Sequence, residues 1–334
     1  MRPPEISIQA EKLSKSFGPI HAIEDISFEI HKGEVIGLLG PNGAGKSTTM
    51  RILCGLVEAT SGSAYIGGIS VVENPDAIKK IVGYMPENNP LPEELRVIEY
   101  LRYRAKLKGI ACHEINNRVE EVLETCDLHH KARRRIIRSL SKGFRQRVGI
   151  ADTLLTHPEI VIMDEPTIGL DPHQTKIIRD LINSRRGRMT FIISSHILPE
   201  VELLCDRILI INQGRIVAQG KSCDLRHEYV PGNSWRISTS GNNGKVRETL
   251  LKLDPHAELP EETDDQACPL PDSFVFKTHN LKISGDQIIE EIQKKTDATL
   301  TELAHLEPSL EEIFLAATKR SWEATLSQKP STTP

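Results

Sequence analysis

Several kinds of sequence feature are scarce or missing in this chain of 334 residues. Its six cysteines are scattered singly, without a CxxC pair or a spacing typical of metal ligands. We therefore expect reduced, buried thiols in a cytosolic protein. No apolar run approaches the ~20 residues that span a bilayer, and the N-terminus lacks the apolar core of a signal peptide. We expect a soluble chain.

An excess of positive charge is also missing. Lys and Arg total 42 against 46 Asp and Glu, which gives a formal net charge of −4. A global basic field is therefore absent, and charge alone does not suggest a nucleic-acid partner.

The apolar residues that are present predict an α/β fold. The runs "GEVIGLLG", "EIVIMDEP" and "MTFIISSH" are short and continuous, and they alternate with segments of helical periodicity. This pattern indicates a parallel sheet covered on both faces. We expect a first domain at residues 1–224, mostly helical at about 88–157, and a small α+β domain with the order of a split β-α-β unit at 225–320. Residues 321–334 are expected to be disordered.

The stretch "GLLGPNGAGKSTTMRIL" carries the pattern Gly40-x-x-x-x-Gly45-Lys46-Ser47 of a phosphate-binding loop. Glycines let backbone N–H groups approach phosphate oxygens, and the positive end of the following helix points to the same place. Lys46 would bind the β- and γ-phosphates, and the Ser47 hydroxyl would bind Mg²⁺. The plain alternative is a Gly-rich turn before a helix. The predicted ATP-binding residues here are Gly40, Pro41, Asn42, Gly43, Ala44, Gly45, Lys46, Ser47 and Thr48.

Two acids end a second apolar run. Asp164 and Glu165 follow "IVIM", and open α/β sheets bind ligands at the carboxyl ends of such strands. Asp164 would hold Mg²⁺, and Glu165 would orient and polarise the attacking water. The alternative is a solvated pair of acids. One strand later, His196 ends "FIISSH" and could contact the γ-phosphate.

These residues resemble the nucleotide-binding subunits of ABC transporters. The segment "SLSKGFRQRVGIADTLL" is similar to that family's signature, and the resemblance covers about Ile6 to Lys221. It implies a P-loop NTPase with a RecA-like parallel core, an antiparallel β subdomain and an α-helical signature subdomain. It also implies that Phe17 stacks on adenine, that Glu87 lies in the Q-loop, and that Glu165 and the switch residue His196 are catalytic.

The resemblance further implies that two subunits pack head to tail, so that the signature of one closes over the ATP of the other. The helix after Ser141 would then aim its N–H groups at the γ-phosphate. A monomer should hydrolyse ATP poorly. The residues expected to act across the dimer are Ser141, Lys142, Gly143 and Asp171.

Three positions depart from the common family pattern. The signature reads LSKGF instead of LSGGQ, so that Lys142 either assists phosphate binding or faces solvent. Glu87 replaces Gln, which removes an amide donor, and Phe17 replaces Tyr, which leaves stacking intact. The first two changes and the C-terminal "EPSLEEIFLAAT" resemble the type-2 ABC exporters, such as drug-export and gliding-motility systems. The helix in that last segment would dock onto its own domain or form a dimer or regulatory contact.

We therefore expect an ATPase that binds ATP and Mg²⁺, pairs with a second ATP-binding subunit, and drives export through a separate transmembrane permease. It would lie peripherally on the cytoplasmic face of the cell membrane. The alternative is a soluble ABC ATPase or a regulatory module that is not coupled to transport. Two basic runs, residues 130–138 and 184–188, are solvated faces or contact anionic lipids or permease loops. Aromatic residues make up 4% and do not interleave with them, so we expect no nucleic-acid partner.

Overall fold

The structure is a computed structural model that describes residues 5–240, 243–259, 273–280 and 283–327. The chain divides into two compact units, Met1–Ser222 and Cys223–Pro334. Each unit has buried apolar residues of its own.

The first unit carries the strands and helices that surround the phosphate-binding loop. Its strands are β1 (Ile6–Phe17), β2 (Ile20–His31), β3 (Val35–Leu39), β4 (Ser61–Ile66), β5 (Ile69–Ser70), β6 (Val82–Met85), β7 (Ile160–Asp164), β8 (Thr190–Ser195), β9 (Arg207–Asn212) and β10 (Arg215–Gly220). Its helices are α1 (Lys46–Leu53), α2 (Pro75–Ile81), α3 (Val97–Leu107), α4 (Ile115–Thr125), α5 (Lys142–Leu154), α6 (Pro172–Arg185) and α7 (Leu198–Leu204), with a 3₁₀ turn at Ile137–Ser139.

The central sheet of the described residues has the strand order β10-β9-β3-β8-β7-β6. All neighbours from β9 to β6 are parallel, and β10 pairs antiparallel with β9 at one edge. Every residue of β3, β7 and β8 is buried, as expected for strands covered on both faces. The predicted parallel α/β core is confirmed. Because the strands are parallel, the carboxyl ends of β3, β7 and β8 meet at one edge of the sheet.

A second, antiparallel sheet has the order β2-β1-β4-β5. Its apolar side chains join those of α1 and the central sheet in one core; Ile8 and Ile26 pack with Met50 and Ile162. This sheet corresponds to the expected antiparallel subdomain, and the end of β1 carries Phe17.

The middle of the first unit is mostly helical, as predicted. Helices α3, α4 and α5 bury a common apolar stripe that includes Leu101, Val119 and Val148. The carboxylate of Asp152 on α5 lies 3.0 Å from the Arg104 guanidinium and 3.2 Å from the Lys108 ammonium, both near the end of α3. These ion pairs fasten α3 to the helix that follows the signature.

The second unit begins in helix α8 (Ser222–Tyr229), whose first residue still belongs to the first unit. It continues with β11 (Asn233–Ser240), α9 (Asn243–Leu253), β12 (Ser273–Thr278), α10 (Gly285–Lys295), β13 (Thr299–Leu306) and α11 (Leu310–Ser327). The sheet order is β12-β11-β13, and both pairings are antiparallel. Since β11 lies between β12 and β13, the segment β12-α10-β13 forms a split β-α-β unit, as predicted.

The last helix is longer than expected. The sequence predicted a disordered tail from residue 321, but α11 continues to Ser327. Residues 320–327, "RSWEATLS", contain Ala, Leu and Glu and neither Gly nor Pro, so nothing in them stops the helix. Residues 328–334 of the predicted tail lie outside the described residues. Leu310, Ile313 and Ala317 of α11 are buried.

Candidate active site

The phosphate-binding loop requires its glycines. Gly43 and Gly45 have φ of 80° and 110°, a region that other residues rarely adopt. A Cβ on Gly45 would lie 2.7 Å from the carbonyl oxygen of Ala22, and one on Gly40 would overlap the carbonyl oxygen of Ile211. The loop therefore packs so closely against the backbone at Ala22 and Ile211 that only glycine fits at Gly40 and Gly45, whereas a Cβ on Gly43 would have no atom within 4 Å.

The start of α1 is arranged as an anion site. Within the described residues no side chain caps its N-terminus, and its first turn holds no acidic residue. The first N–H groups of a helix have no partner inside it, so those of α1 are free to bind phosphate oxygens. The positive end of the helix dipole favours the same ligand.

The ammonium group of Lys46 lies inside the loop. Its Nζ donates to the carbonyl oxygens of Gly40 at 2.6 Å and of Pro41 at 3.2 Å. The residue is 7% exposed, so a buried charge is held by neutral carbonyl groups. A phosphate that reaches the loop offers this charge a far stronger partner.

The two acids at the end of β7 lie against β8. Asp164 and Glu165 are 2% and 6% exposed. The hydroxyl of Ser194 donates to Asp164 Oδ1 at 2.6 Å and accepts the N–H of Glu165 at 2.9 Å. Glu165 Oε2 lies 2.8 Å from Nδ1 of His196, whose side chain is half exposed. Ser194, which lies in β8 two positions before His196, was not among the residues predicted from the sequence.

One cleft of about 610 Å³ joins these elements. Its predicted members are the loop from Pro41 to Thr48 together with Glu87, Asp164, Glu165 and His196, and Ala22 and Ile168 complete the lining without having been predicted. A predicted phosphate site, two predicted acids and a predicted histidine, all far apart in sequence, thus open into the same space.

Oxygen donors in this cleft fit Mg²⁺. The Ser47 hydroxyl and the carboxylates of Asp164 and Glu87 line it, and Mg²⁺ prefers oxygen ligands. No group of three or more His, Cys, Asp or Glu side chains within the described residues forms a metal cage. This suits Mg²⁺ beside a nucleotide, since that ion keeps several waters and takes further ligands from phosphate groups.

Phe17 stands apart from the cleft lining. It ends β1 with 49% of its surface exposed, and the Lys15 ammonium lies 5.0 Å from the centre of its ring. An exposed ring at a strand end has a free face for stacking, and its assignment to adenine stays a prediction.

The residues expected to act across a dimer do not line the cleft of their own chain. Ser141 is the exposed N-cap residue of α5, and Gly143 packs so closely on Gln174 that a Cβ would overlap it. Asp171 Oδ1 accepts the N–H of Gln174 at 2.8 Å and so caps α6. The signature helix and the segment after Glu165 are therefore in direct contact.

Lys142 has two neighbouring surfaces. Its Nζ lies so close to Gly169 that a Cβ there would overlap it, and its side chain also lines a second cleft of about 350 Å³. Glu87 borders this cleft as well as the first one. The two readings of Lys142, phosphate binding or solvent exposure, remain predictions.

Part of each basic run serves contacts inside the first unit. Arg133 pairs with Glu120, and Arg135 donates to the carbonyl oxygen of Ser139 at 2.7 Å. In the second run, Arg186 pairs with Asp206. Some arginines of the two basic runs therefore make contacts within the first unit.

No helix in the described part of the chain has the length and apolar character that crossing a membrane requires.

Comparisons with known proteins agree on one family. A sequence profile described as ABC transporter matches residues 23–168. The linearmycin resistance ATP-binding protein LnrL of Bacillus subtilis is 34% identical over 315 residues, which are 94% of this chain and 99% of that protein. The doxorubicin resistance ATP-binding protein DrrA of Mycobacterium tuberculosis is 31% identical over 331 residues, 95% of each chain.

A solved structure, described as the dimeric post-hydrolysis state of an ATP-binding cassette bound to ADP and Pi, is also similar. Its TM-score is 0.57 at 25% identity, over 64% of this chain and 98% of that one. A cassette of this fold therefore binds hydrolysis products as a dimer.

Proposed function

Because the chain belongs to the ABC transporter family of ATP-binding proteins, we propose that two copies close head to tail around Mg²⁺-ATP and drive export through a separate permease. The chain is an ATP-binding and ATP-hydrolysing subunit of an ABC transporter. ABC ATP-binding subunits dimerise and work with membrane permeases. The identity of the second subunit, the metal and the location on the cytoplasmic face of the membrane are parts of our proposal.

One observation carries the proposal. The phosphate-binding loop, Asp164, Glu165 and His196 open into one cleft, whereas Ser141, the exposed residue that precedes α5, lies outside it. A cleft that holds the acids and the loop can bind Mg²⁺-ATP, and Ser141, Lys142 and Gly143 of the same chain do not line it. An uncapped helix start such as that of α5, brought by a second copy, would supply N–H groups to the γ-phosphate.

In this arrangement the chain's own residues divide the work. Lys46 and the first N–H groups of α1 hold the phosphates, while Ser47 and Asp164 would hold Mg²⁺, which would neutralise charge on the phosphate oxygens. Glu165 orients and polarises the attacking water. Since the contact between Ser141 and the γ-phosphate exists only before hydrolysis, ATP closes the dimer and hydrolysis releases it.

The likeness to LnrL and DrrA over nearly the whole chain supports export. Both names denote resistance to a named compound, and export of a compound from the cell is one way to resist it. A neighbouring gene that encodes several apolar segments of ~20 residues would identify the permease.

The mass of the Glu165→Gln variant in solution tests the dimer. We expect a monomer with ADP and a dimer with ATP and Mg²⁺, measured by light scattering after size exclusion. Addition of EDTA should abolish the dimer if Mg²⁺ is required. Two results together would refute the head-to-tail arrangement and favour an uncoupled soluble ATPase. The variant would stay monomeric with ATP, and the specific ATPase activity of the wild type would not rise with protein concentration.

A further inference from the structure

Ser194 connects the two acids of the cleft although it does not line the cleft itself. It stands in β8, directly opposite Asp164 of β7 in the register of the parallel pair. The residue is completely buried, with 0% of its surface exposed. A buried hydroxyl at this place has to find its hydrogen-bond partners among its neighbours.

The direction of both hydrogen bonds of Ser194 is fixed by chemistry. The N–H of Glu165 can only donate, so Ser194 Oγ accepts it, at 2.9 Å. The single hydroxyl hydrogen is therefore available to Asp164, whose Oδ1 lies 2.6 Å away. One hydroxyl thus holds the carboxylate of one acid and the backbone of the other.

The backbone conformation of Glu165 requires a stabilising contact. Its φ is 50°, in the left-handed region that a residue with a side chain adopts only when surrounding contacts enforce it. In an extended strand, consecutive side chains point to opposite faces. Asp164 and Glu165 nevertheless line the same cleft, because the chain turns at Glu165.

We propose that Ser194 is a positioning residue for both acids of the ATPase site. Its hydrogen bond to Asp164 orients the carboxylate that would hold Mg²⁺, and its acceptance of the Glu165 N–H keeps the turn that aims the Glu165 carboxylate at the γ-phosphate. This inference rests on the proposed function. It differs from a purely structural role, in which the hydroxyl would merely satisfy buried polar groups.

The chain offers a matched control in the next residue. Ser195 is 2% exposed, and its Oγ accepts the N–H of Ile197 at 3.0 Å, a hydrogen bond that does not involve either acid. Ser194→Ala removes the hydroxyl that faces the acids, and Ser195→Ala removes an equally buried hydroxyl that does not. Ser194→Cys keeps the shape of the site with a weaker donor and serves if the alanine variant is unstable.

Metal binding is measured without turnover, by titration of Mn²⁺ into protein that holds a non-hydrolysable ATP analogue and by detection of free Mn²⁺ with EPR. For Ser194→Ala we expect Mn²⁺ affinity to fall about tenfold or more, since groups that orient a metal ligand typically contribute that much. Nucleotide affinity in EDTA should stay within about twofold of the wild type, because the phosphate-binding loop is untouched. The Mn²⁺ affinity of Ser194→Cys should lie between those of Ser194→Ala and the wild type. The Mn²⁺ affinity of Ser195→Ala should match the wild type.

Turnover at saturating nucleotide and metal gives a second readout, in which we expect kcat of Ser194→Ala to fall about tenfold or more, while KM for Mg²⁺-ATP rises because the nucleotide-bound site holds the metal less tightly. Unchanged Mn²⁺ affinity and kcat in this variant would overturn the inference. So would equal losses in Ser195→Ala, since those would indicate a general packing defect. Failure of the proposed function is distinguishable, because it would appear in the wild-type protein as an absence of ATP-dependent dimers.

Discussion

Glu165 Oε2 and His196 Nδ1 lie 2.8 Å apart, and both residues line the cleft beside the phosphate-binding loop. The bond joins a buried carboxylate to a ring that is half exposed. When Nδ1 carries the hydrogen of this bond, a neutral ring has only an acceptor at Nε2 and cannot donate to a phosphate from that atom. Donation to the γ-phosphate from Nε2 then requires the cationic ring, which makes Glu165 and His196 one interdependent pair.

Replacement of Glu165 by Gln tests the carboxylate as the group that activates water. The amide keeps the size of the side chain and can still accept from His196, but it is a poor base. We expect the ATPase rate of Glu165→Gln to fall by ~10²-fold or more, with nucleotide affinity retained. Phosphate release at saturating ATP measures this.

Glu159 provides the control for that variant. It is exposed and directly precedes β7, at the opposite end of the strand from Glu165. Glu159→Gln should hydrolyse ATP at the wild-type rate. Unchanged turnover in Glu165→Gln would reject Glu165 as the catalytic base.

Lys46→Ala tests the phosphate-binding loop. The variant loses a buried ammonium that we assign to the β- and γ-phosphates, and hydrogen bonds to charged groups contribute about 1.5–3 kcal/mol. We therefore expect the Kd for a fluorescent ATP analogue to rise by about 10- to 100-fold or more. Lys79→Ala, in an exposed ion pair with Asp76, should bind like the wild type. Equal affinity in all three proteins would contradict the assignment.

The fold was predictable where a pattern is local. Strands β3, β7 and β8 are continuous apolar runs because both of their faces are covered, and their short length and Gly-rich or acidic ends favour a buried strand over a helix. Strands β4 and β5 were missed. The sequence of β4, "SGSAYI", is half Gly and Ser, and β5 has two residues, so neither carries a usable period.

In the candidate site, too, residues were predictable where their pattern is local in the sequence. The loop from Gly40 to Thr48 is contiguous and carries its chemistry in its spacing, so sequence alone is enough to propose it. The position of Ser194 against Asp164 depends on the register of two strands that are far apart in sequence. Likewise, only the folded chain brings Gly143 against Gln174.

Ser141→Arg tests the composite site. Ser141 is exposed and does not line the cleft of its own chain, so we expect nucleotide affinity of the monomer to stay within about twofold of the wild type. A bulky cation at the start of α5 should prevent closure over a partner's ATP. ATPase activity should then lose its dependence on protein concentration and fall to the level of the monomer.

The comparison variant for Ser141→Arg is Ser61→Arg, which places the same cation on an exposed residue of β4. It should retain concentration-dependent turnover. Equal activity of the two variants would contradict the assignment of Ser141 to a site shared between subunits.

The last prediction concerns a buried acid of the second unit. Asp254 is 7% exposed, and it accepts hydrogen bonds from the Thr278 hydroxyl and, at 3.0 Å, from the His256 N–H. The Thr278 hydrogen bond in particular lowers the pKa of Asp254 below its usual value of 3.8. A carboxyl with a depressed pKa stabilises the fold above its unfolded pKa, and that contribution is lost as pH falls through the folded value.

Thr278→Val should therefore lower the free energy of unfolding at pH 7 by about 1 kcal/mol, the typical net worth of such a hydrogen bond. The difference from the wild type should shrink below pH 3.8, where the carboxyl of both proteins takes up a proton.

Both tryptophans, Trp235 and Trp322, belong to the second unit, so their fluorescence during urea unfolding reports on that unit. Thr301 donates to a carbonyl oxygen, that of Ser238, at 2.9 Å. Any loss of stability in Thr301→Val should therefore not depend on pH between about 3 and 7. If the loss of stability in Thr278→Val is equally independent of pH, the Thr278 hydroxyl does not act through the charge of Asp254.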